Sequence, residues 1–431
     1  LNKLKEGDDV KRIITTEKYM NNTISIRRFL DLDKNKITAL NLLLIMMSGR
    51  SQKFPTRDSW SQAASHAYGT QAGWRIQGFG PKVLVDYKCS WLDESFITSD
   101  TYTGEVETLF IEGLENPVLT EENLAEAKYL LKNRLISAMQ EPESAAVRAA
   151  LSQAAVNHDI TVPMNGRLED IDEVTLEDVQ SVFSEIQASK RVDLYIGNTG
   201  SALIPDSNIS QELESFTCTA IPAQETKKYR EERDIAQSAL VQIYATGKHI
   251  LNQGFDTLTV LNAMLGGSSV SMLFEVVREQ YSLCYSISST LIRFDGALCI
   301  STGCDISDLE QVKKLISECI VKIAQQDFDP KWFEIVKNEC LDSLTGSFDT
   351  EAGQLDAIFR SIVLGREISL QERLDRISKV TMEDVAEAAK KLVLVSEAEV
   401  VQKNDDGIDE KFLLEIEDKK DFEEEREGTG E

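Results

Sequence analysis

The pattern of apolar and polar positions divides the chain into strand-like and helix-like stretches. NNTISIRRF (21–29) alternates and predicts a strand. ITALNLLLIMMSG (37–49) is apolar almost throughout and predicts a helix stopped by Gly49. TRDSWSQAASHAYG (56–69) predicts a second helix, ending at Gly69. WRIQGFGPKVLVDYKCSW (74–91) reads as a hairpin around FGPK, and long helices are expected at about 121–140 and 144–157. Further on come a strand at 238–247, helices near 256–265 and 269–280, and strands near 283–290 and 296–303. Helices near 308–326, 330–346 and 350–364 complete the series. Strands followed by paired helices, twice over, predict an α+β class with an antiparallel sheet.

The chain also repeats itself. RLEDIDEVTLEDV (167–179) and RLDRISKVTMEDV (373–385) share eight of thirteen residues at an offset of 206. KNRLIS (132–137) and KNECLDS (337–343) recur at nearly the same offset, so duplication of one domain explains the pattern better than chance does. Thr175 and Thr381 are N-cap candidates, each with an aspartate three residues on, Asp178 and Asp384. The polar stretch 204–235 holds two prolines and a charge run and reads as the connection between the copies. The expected division is a first domain over 1–210, a linker over 211–235, a second domain over 236–402 and an acidic tail over 403–431.

Charge narrows the function. The net charge of −27 argues against nucleic acid, which requires a basic stripe. The tail contributes −8, from 13 acids and 5 bases, so the body is acidic as well. No run of about 18 apolar residues occurs and the first residues carry no apolar core. Neither a membrane span nor a secretory leader is therefore expected, and the expected location is cytoplasmic. Seven cysteines, an odd number without a CxxC, read as buried reduced thiols.

Familiar catalytic machinery is missing. The three histidines, His66, His158 and His249, include no pair at i, i+4, so no HxxEH zinc helix is possible. No GxSxG, P-loop or dinucleotide fingerprint occurs either. What remains is LNAMLGGSSVSMLFE (261–275) followed by VREQYSLCYSISST (277–290), which places Arg278 and Tyr285 seven residues apart across a helix-to-strand junction.

That segment resembles the C-terminal domain of the M16 (pitrilysin/insulinase) metallopeptidases, whose pattern runs roughly LGG-SS-LF-VRE-x-x-L-Y. FDGALCISTGCD (294–305) resembles the family's next strand, and the resemblance extends over about residues 13–402. It implies two homologous M16-like domains, each an antiparallel sheet with helices packed on one face, joined by a linker. Placing Gly49 on the glycine that follows the family's zinc motif puts Leu40 and Leu44 where its histidines stand and Leu43 where its glutamate stands. The later helix reads AKYLLKNR (127–134) where a further carboxylate is expected. Stretches 53–74 and 114–135 are similar to a bacterial group within the family, the YmfF-type proteins, in which the zinc motif is absent and the Arg/Tyr pair is kept.

Two functions fit. In the first, the chain is the non-metal subunit of a two-chain peptidase and is inactive alone. The resemblance then implies a peptide substrate, a separate HxxEH-bearing M16 subunit that holds the zinc, and Arg278 and Tyr285 as a substrate and transition-state clamp. No metal or cofactor is expected in this chain, and a homodimer is an alternative assembly. In the second, the chain is a catalytically silent M16-like binding or scaffold protein. Arg278 then pairs with Glu275 or Glu279, and Tyr285 is core.

Overall fold

The alternating stretch near residue 21 becomes β2 (Asn21–Asp31), the middle strand of a five-stranded sheet. A computed structural model describes residues 10–198, 203, 217–365 and 369–403. The first sheet adds β1 (Val10–Thr15), β3 (Gln71–Phe79), β4 (Lys82–Leu92) and β5 (Arg191–Gly197), in the order β1-β5-β2-β4-β3. The second comprises β6 (Lys227–Arg233), β7 (Ser238–Ala245), β8 (Cys284–Ile292), β9 (Ala297–Cys304) and β10 (Val393–Gln402), in the order β6-β10-β7-β9-β8. Matching strands occupy matching places, as duplication requires.

Two expectations change. The sheets are mixed, because β1 runs parallel to β5 and β6 parallel to β10, while the other pairs are antiparallel. The second concerns KKYREER, read from its charge run as part of the 211–235 linker. It is the edge strand β6, and charged side chains are one means by which an exposed edge avoids pairing with other chains.

Each half buries an apolar helix layer under its sheet. In the first, α1 (Ile37–Met47) packs between α4 (Glu121–Gln140) and α6 (Leu176–Ala188). In the second, α7 (Phe255–Asn262), α8 (Leu309–Ala324), α9 (Pro330–Phe348), α11 (Leu370–Ser378) and α12 (Met382–Ala389) join one large core, while α2 (Arg57–His66) and α3 (Tyr102–Glu115) pack Trp60, Tyr102 and Leu109 against the first sheet. The repeated caps behave alike: Asp178 N–H donates to Thr175 Oγ1 at 3.2 Å and Asp384 N–H to Thr381 Oγ1 at 3.1 Å, each returned by the aspartate side chain.

The opposite face of each sheet is covered by a helix from the other half. α5 (Pro142–Gln153) lays Ala146 and Ala150 on Ala239, Val241, Ile243 and Val400 of the second sheet. Reciprocally, α10 (Glu351–Val363) sets Leu355 and Phe359 on Leu84, Val192 and Leu194 of the first. This is why β2 is buried on both faces rather than alternating. Its polar side chains meet α10: Thr23 Oγ1 donates to Glu351 at 2.7 Å, and Arg27 pairs with Asp356 at 2.6 Å. Asp86 lies on the other side of Arg27, at 3.6 Å. The tip of the β8–β9 hairpin also crosses the seam. Phe294 packs on Phe79 with ring centroids 4.2 Å apart, and Asp295 lies 3.6 Å from His158.

Because each sheet depends on a helix from the other half, urea unfolding should be a single transition reported identically by probes in both halves. Phe359→Ala should cost about 3–5 kcal/mol in that transition. Two separated transitions would show that the halves are independent.

Burial pushes the Asp295 carboxyl up from 3.8 to about 6, with His158 pulling it down and Asp159 pushing it up. One of its oxygens is buried without a hydrogen-bond partner. A folded-state pKa above the unfolded value means that protonation favours the fold. That contribution is complete below about pH 4 and is lost as pH rises through about 6. Asp295→Asn should therefore stabilise the protein by roughly 1–3 kcal/mol at about pH 7.5 and be near neutral at about pH 4. Equal effects at the two pH values would refute the assignment.

Candidate functional site

The Arg278/Tyr285 site is built on close contact between a helix and a strand. α7 runs into Ala263–Gly267, which is wound more widely than an α-helix. At Gly266 a Cβ would stand 2.8 Å from the Ser289 backbone nitrogen of β8, so only glycine lets the helix lie there. Ser289 Oγ fastens the contact by donating to Asn262 at 3.0 Å. A second widely wound segment, Phe274–Gln280, carries Arg278. Such segments recur at functional sites. Its end is closed by the Tyr281 and Leu283 N–H groups, which donate to the carbonyls of Val276 and Val277 at 3.1 and 3.0 Å. Ser282 takes a left-handed conformation between them, at φ 53°, and the chain turns into β8.

The ladder between β8 and β9 slips at Tyr285. Cys284 faces Cys304 and Ser286 faces Gly303, which leaves Tyr285 without a partner on a bulge. Its side chain projects outward and the residue is 81% exposed. The Arg278 guanidinium lies 5.8 Å from the Tyr285 ring and 4.5 Å from that of Phe274, with Nε 3.7 Å from Glu279. The structure thus brings the two sequence-predicted residues together at the surface. Sequence reading missed Phe274, the aromatic platform beneath Arg278, although the four-residue spacing on one helical face signals such a pair. The Glu279 contact agrees with the silent-scaffold reading, but Tyr285 is not core.

At the position of the family's zinc motif the donor set does not fit a metal. Leu40, Leu43 and Leu44 are 3%, 0% and 8% exposed within the helix core. Nearby on α4, Ala127 and Leu131 are buried in the same core. Alkyl side chains offer no lone pair to zinc. Among the described residues, no group of three or more His, Cys, Asp or Glu side chains is placed to hold a metal ion. All seven cysteines are free thiols, and burial pushes Cys89 and Cys299 up to about 12. Among the described residues, no helix is long and apolar enough to cross a membrane.

Comparison with known proteins agrees with this geometry. Residues 170–340 match the family model described as the peptidase M16 inactive domain. The chain is 23% identical over 406 residues to the probable inactive metalloprotease YmfF of Bacillus subtilis, covering 91% of this chain and 95% of that protein. It is 25% identical over 257 residues to the uncharacterized zinc protease YmxG of the same organism, covering 57% and 62%. Among solved structures, a conserved protein from Enterococcus faecalis V583 superposes with a TM-score of 0.82 at 21% identity, over 92% of this chain and 97% of that one. A peptidase M16 inactive domain from Pseudomonas fluorescens superposes at 0.71 and 15% identity, with the same coverage. The chain resembles the M16 family in sequence and fold, and is similar to its inactive members.

Produced and purified on its own, the chain should carry far less than one zinc per chain and show no chelator-sensitive peptidase activity. Metal analysis by plasma mass spectrometry, with a peptide-library assay, checks both. Stoichiometric zinc with chelator-sensitive cleavage would overturn the reading of the leucine helix.

Proposed function

We propose that this M16-like chain is the substrate-binding, non-metal subunit of a two-chain peptidase, its partner an M16 subunit bearing HxxEH and zinc. The observation that carries the reading is the surface pair of half-buried Arg278 and exposed Tyr285. An arginine stacked on Phe274 and a tyrosine held out on a bulge contribute little to the core of this chain. Their position at the surface supports contact with something outside the chain.

The chemistry such a pair supplies is recognition of oxygen. When a peptide carbonyl is attacked, negative charge grows on its oxygen, and preplaced donors stabilise that charge more than they stabilise the neutral substrate. Arg278 can give charge-assisted hydrogen bonds, and the Tyr285 hydroxyl can give one neutral donor. The partner would supply the metal and the attacking water, and this chain the clamp. A cytoplasmic location and a peptide substrate belong to the same proposal, and a homodimer would be the assembly if no such partner exists. The silent-scaffold reading is favoured only by the Arg278–Glu279 contact. At 3.7 Å and partly exposed, that pair is of the kind worth about 0–1 kcal/mol.

With the reconstituted pair, Arg278→Ala should leave folding and partner binding intact and lower kcat/KM by about 10²-fold, the scale of one lost oxyanion donor. Tyr285→Phe should cost about 10-fold, the scale of one hydrogen bond. Normal cleavage by both variants would make the pair structural and favour the scaffold reading.

A further inference from the structure

In a chain this acidic, the seam between the halves holds an unexpected cluster of arginines. A cavity with room for about 100 Å³ opens between the first sheet, α10 and the β8–β9 hairpin. Its apolar wall is formed by Phe79, Phe294, Phe359 and Ile250; Arg27, Arg293 and Arg360 line it as well, against the single carboxylate of Asp356. Arg373 stands close enough for Arg293 and Arg360 to act on its charge.

The carboxylates in this region are already engaged. Asp356 pairs with Arg27 at 2.6 Å and reaches Arg75 at 3.8 Å. Asp256 pairs with Arg376 at 3.2 Å, and Glu372 lies 3.8 Å from the same side chain. Among the described residues, the guanidiniums of Arg293, Arg360 and Arg373 form no hydrogen bond or close ion pair; Arg373 lies over the Phe348 ring at 5.8 Å and feels Asp256 at longer range. Burial, then the neighbouring guanidiniums of Arg360 and Arg293, pushes Arg373 down to about 10. Arg360 is lowered by burial and by Arg293, with Asp356 and Asp256 offsetting part of that. Like charges gathered in a partly desolvated cleft raise the free energy of the fold, and an anion entering the cleft would relieve that.

The wall selects the kind of anion. A planar guanidinium matches the fork of a carboxylate, and three phenyl rings beside it favour an apolar group on the same ligand. We propose that the seam cavity binds the C-terminal carboxylate of a peptide whose last residue is apolar, with Arg293 and Arg360 on the carboxylate and the phenylalanines around the side chain. The proposal rests on the peptide-binding half of the reading above but on neither a partner nor cleavage. Tyr285 and Arg293 lie eight residues apart, at the start of β8 and just past its end, which is roughly 26 Å of extended chain. The anchor is therefore a separate place from the clamp.

The test uses the full chain alone and fluorescence anisotropy with an N-terminally labelled peptide ending in leucine. The free acid should bind at least about 10-fold more tightly than the same peptide amidated, and added salt should weaken it. Arg360→Ala should weaken acid binding by about 10-fold or more, Arg360→Lys by less, and the amide should be insensitive to either. Thermal melting guards against misfolding: the melting temperature of Arg360→Ala should not fall, because one repelling charge is gone. Arg373→Ala, outside the cavity wall, provides a second variant and should weaken the acid moderately. Equal binding of acid and amide would overturn the proposal, as would no binding of either. So would inorganic phosphate that binds one-to-one through Arg360 while the two peptides stay indistinguishable. Loss of the clamp's effect on cleavage would leave this result untouched, so the two readings fail separately.

Discussion

Each sheet has one face that its own half leaves open, and the rest of the structure follows from how that face is closed. α5 crosses to the second sheet and α10 to the first. An apolar sheet face in water costs about 25 cal/mol per Å², so neither half is a finished domain without the other's helix. The two crossing helices use different chemistry. α5 presents alanines, which let it lie close on a sheet of alanine and β-branched residues. α10 presents Leu355 and Phe359 beside Glu351 and Asp356, because the strand it covers carries threonine and arginine. A buried arginine such as Arg27 is tolerable only because Asp356 arrives from the other half and Asp86 from its own sheet.

The same constraint explains why the leucine helix is stable as it stands. α1 is buried on every side, with Asn41 satisfied by the carbonyls of Ile37 and Met164. Where a metal helix must keep one face polar and open, this one has become a plain core element. Three buried leucines contribute on the order of 1.5–3 kcal/mol each. Charged ligands at those positions would need both the metal and a second set of hydrogen bonds before the helix could hold them. The leucines at 40, 43 and 44 are thus part of the core of the domain, not a surface feature.

Much of this was legible in the residues because the signals were local. The capping sequences at Thr175 and Thr381 announced the duplication, and the uniformly apolar run at 37–47 announced a buried helix. The glycines of LGG and the Arg278/Tyr285 spacing marked this helix-to-strand segment, and the structure explains the first of them by the approach of Gly266 to β8. What escaped was set by distant partners. KKYREER has no apolar period because it lies on an edge, and it is a strand only because β10 is there to pair with it. β2 alternates in sequence, yet both faces are buried, because α10 lies more than 320 residues away along the chain. The Phe274 platform and the bulge at Tyr285 were hidden for the same reason: a ladder slip is a property of two strands, and only one is in view when a stretch is read.

Charge gives the last step. A protein at −27 should repel acidic ligands at long range. The seam runs against that field because the crossing of α10 brings Arg360 beside Arg293 from the β8–β9 hairpin, while the nearby aspartates are used up in holding Arg27 and Arg376. The excess of positive charge at that spot is therefore a by-product of the same helix exchange that closes the sheets. That excess is only partly answered by Asp356 on α10, which is held between Arg27 and Arg75. Its presence in a cleft walled by phenylalanine places attraction and apolar contact side by side, a combination that a purely structural seam does not need.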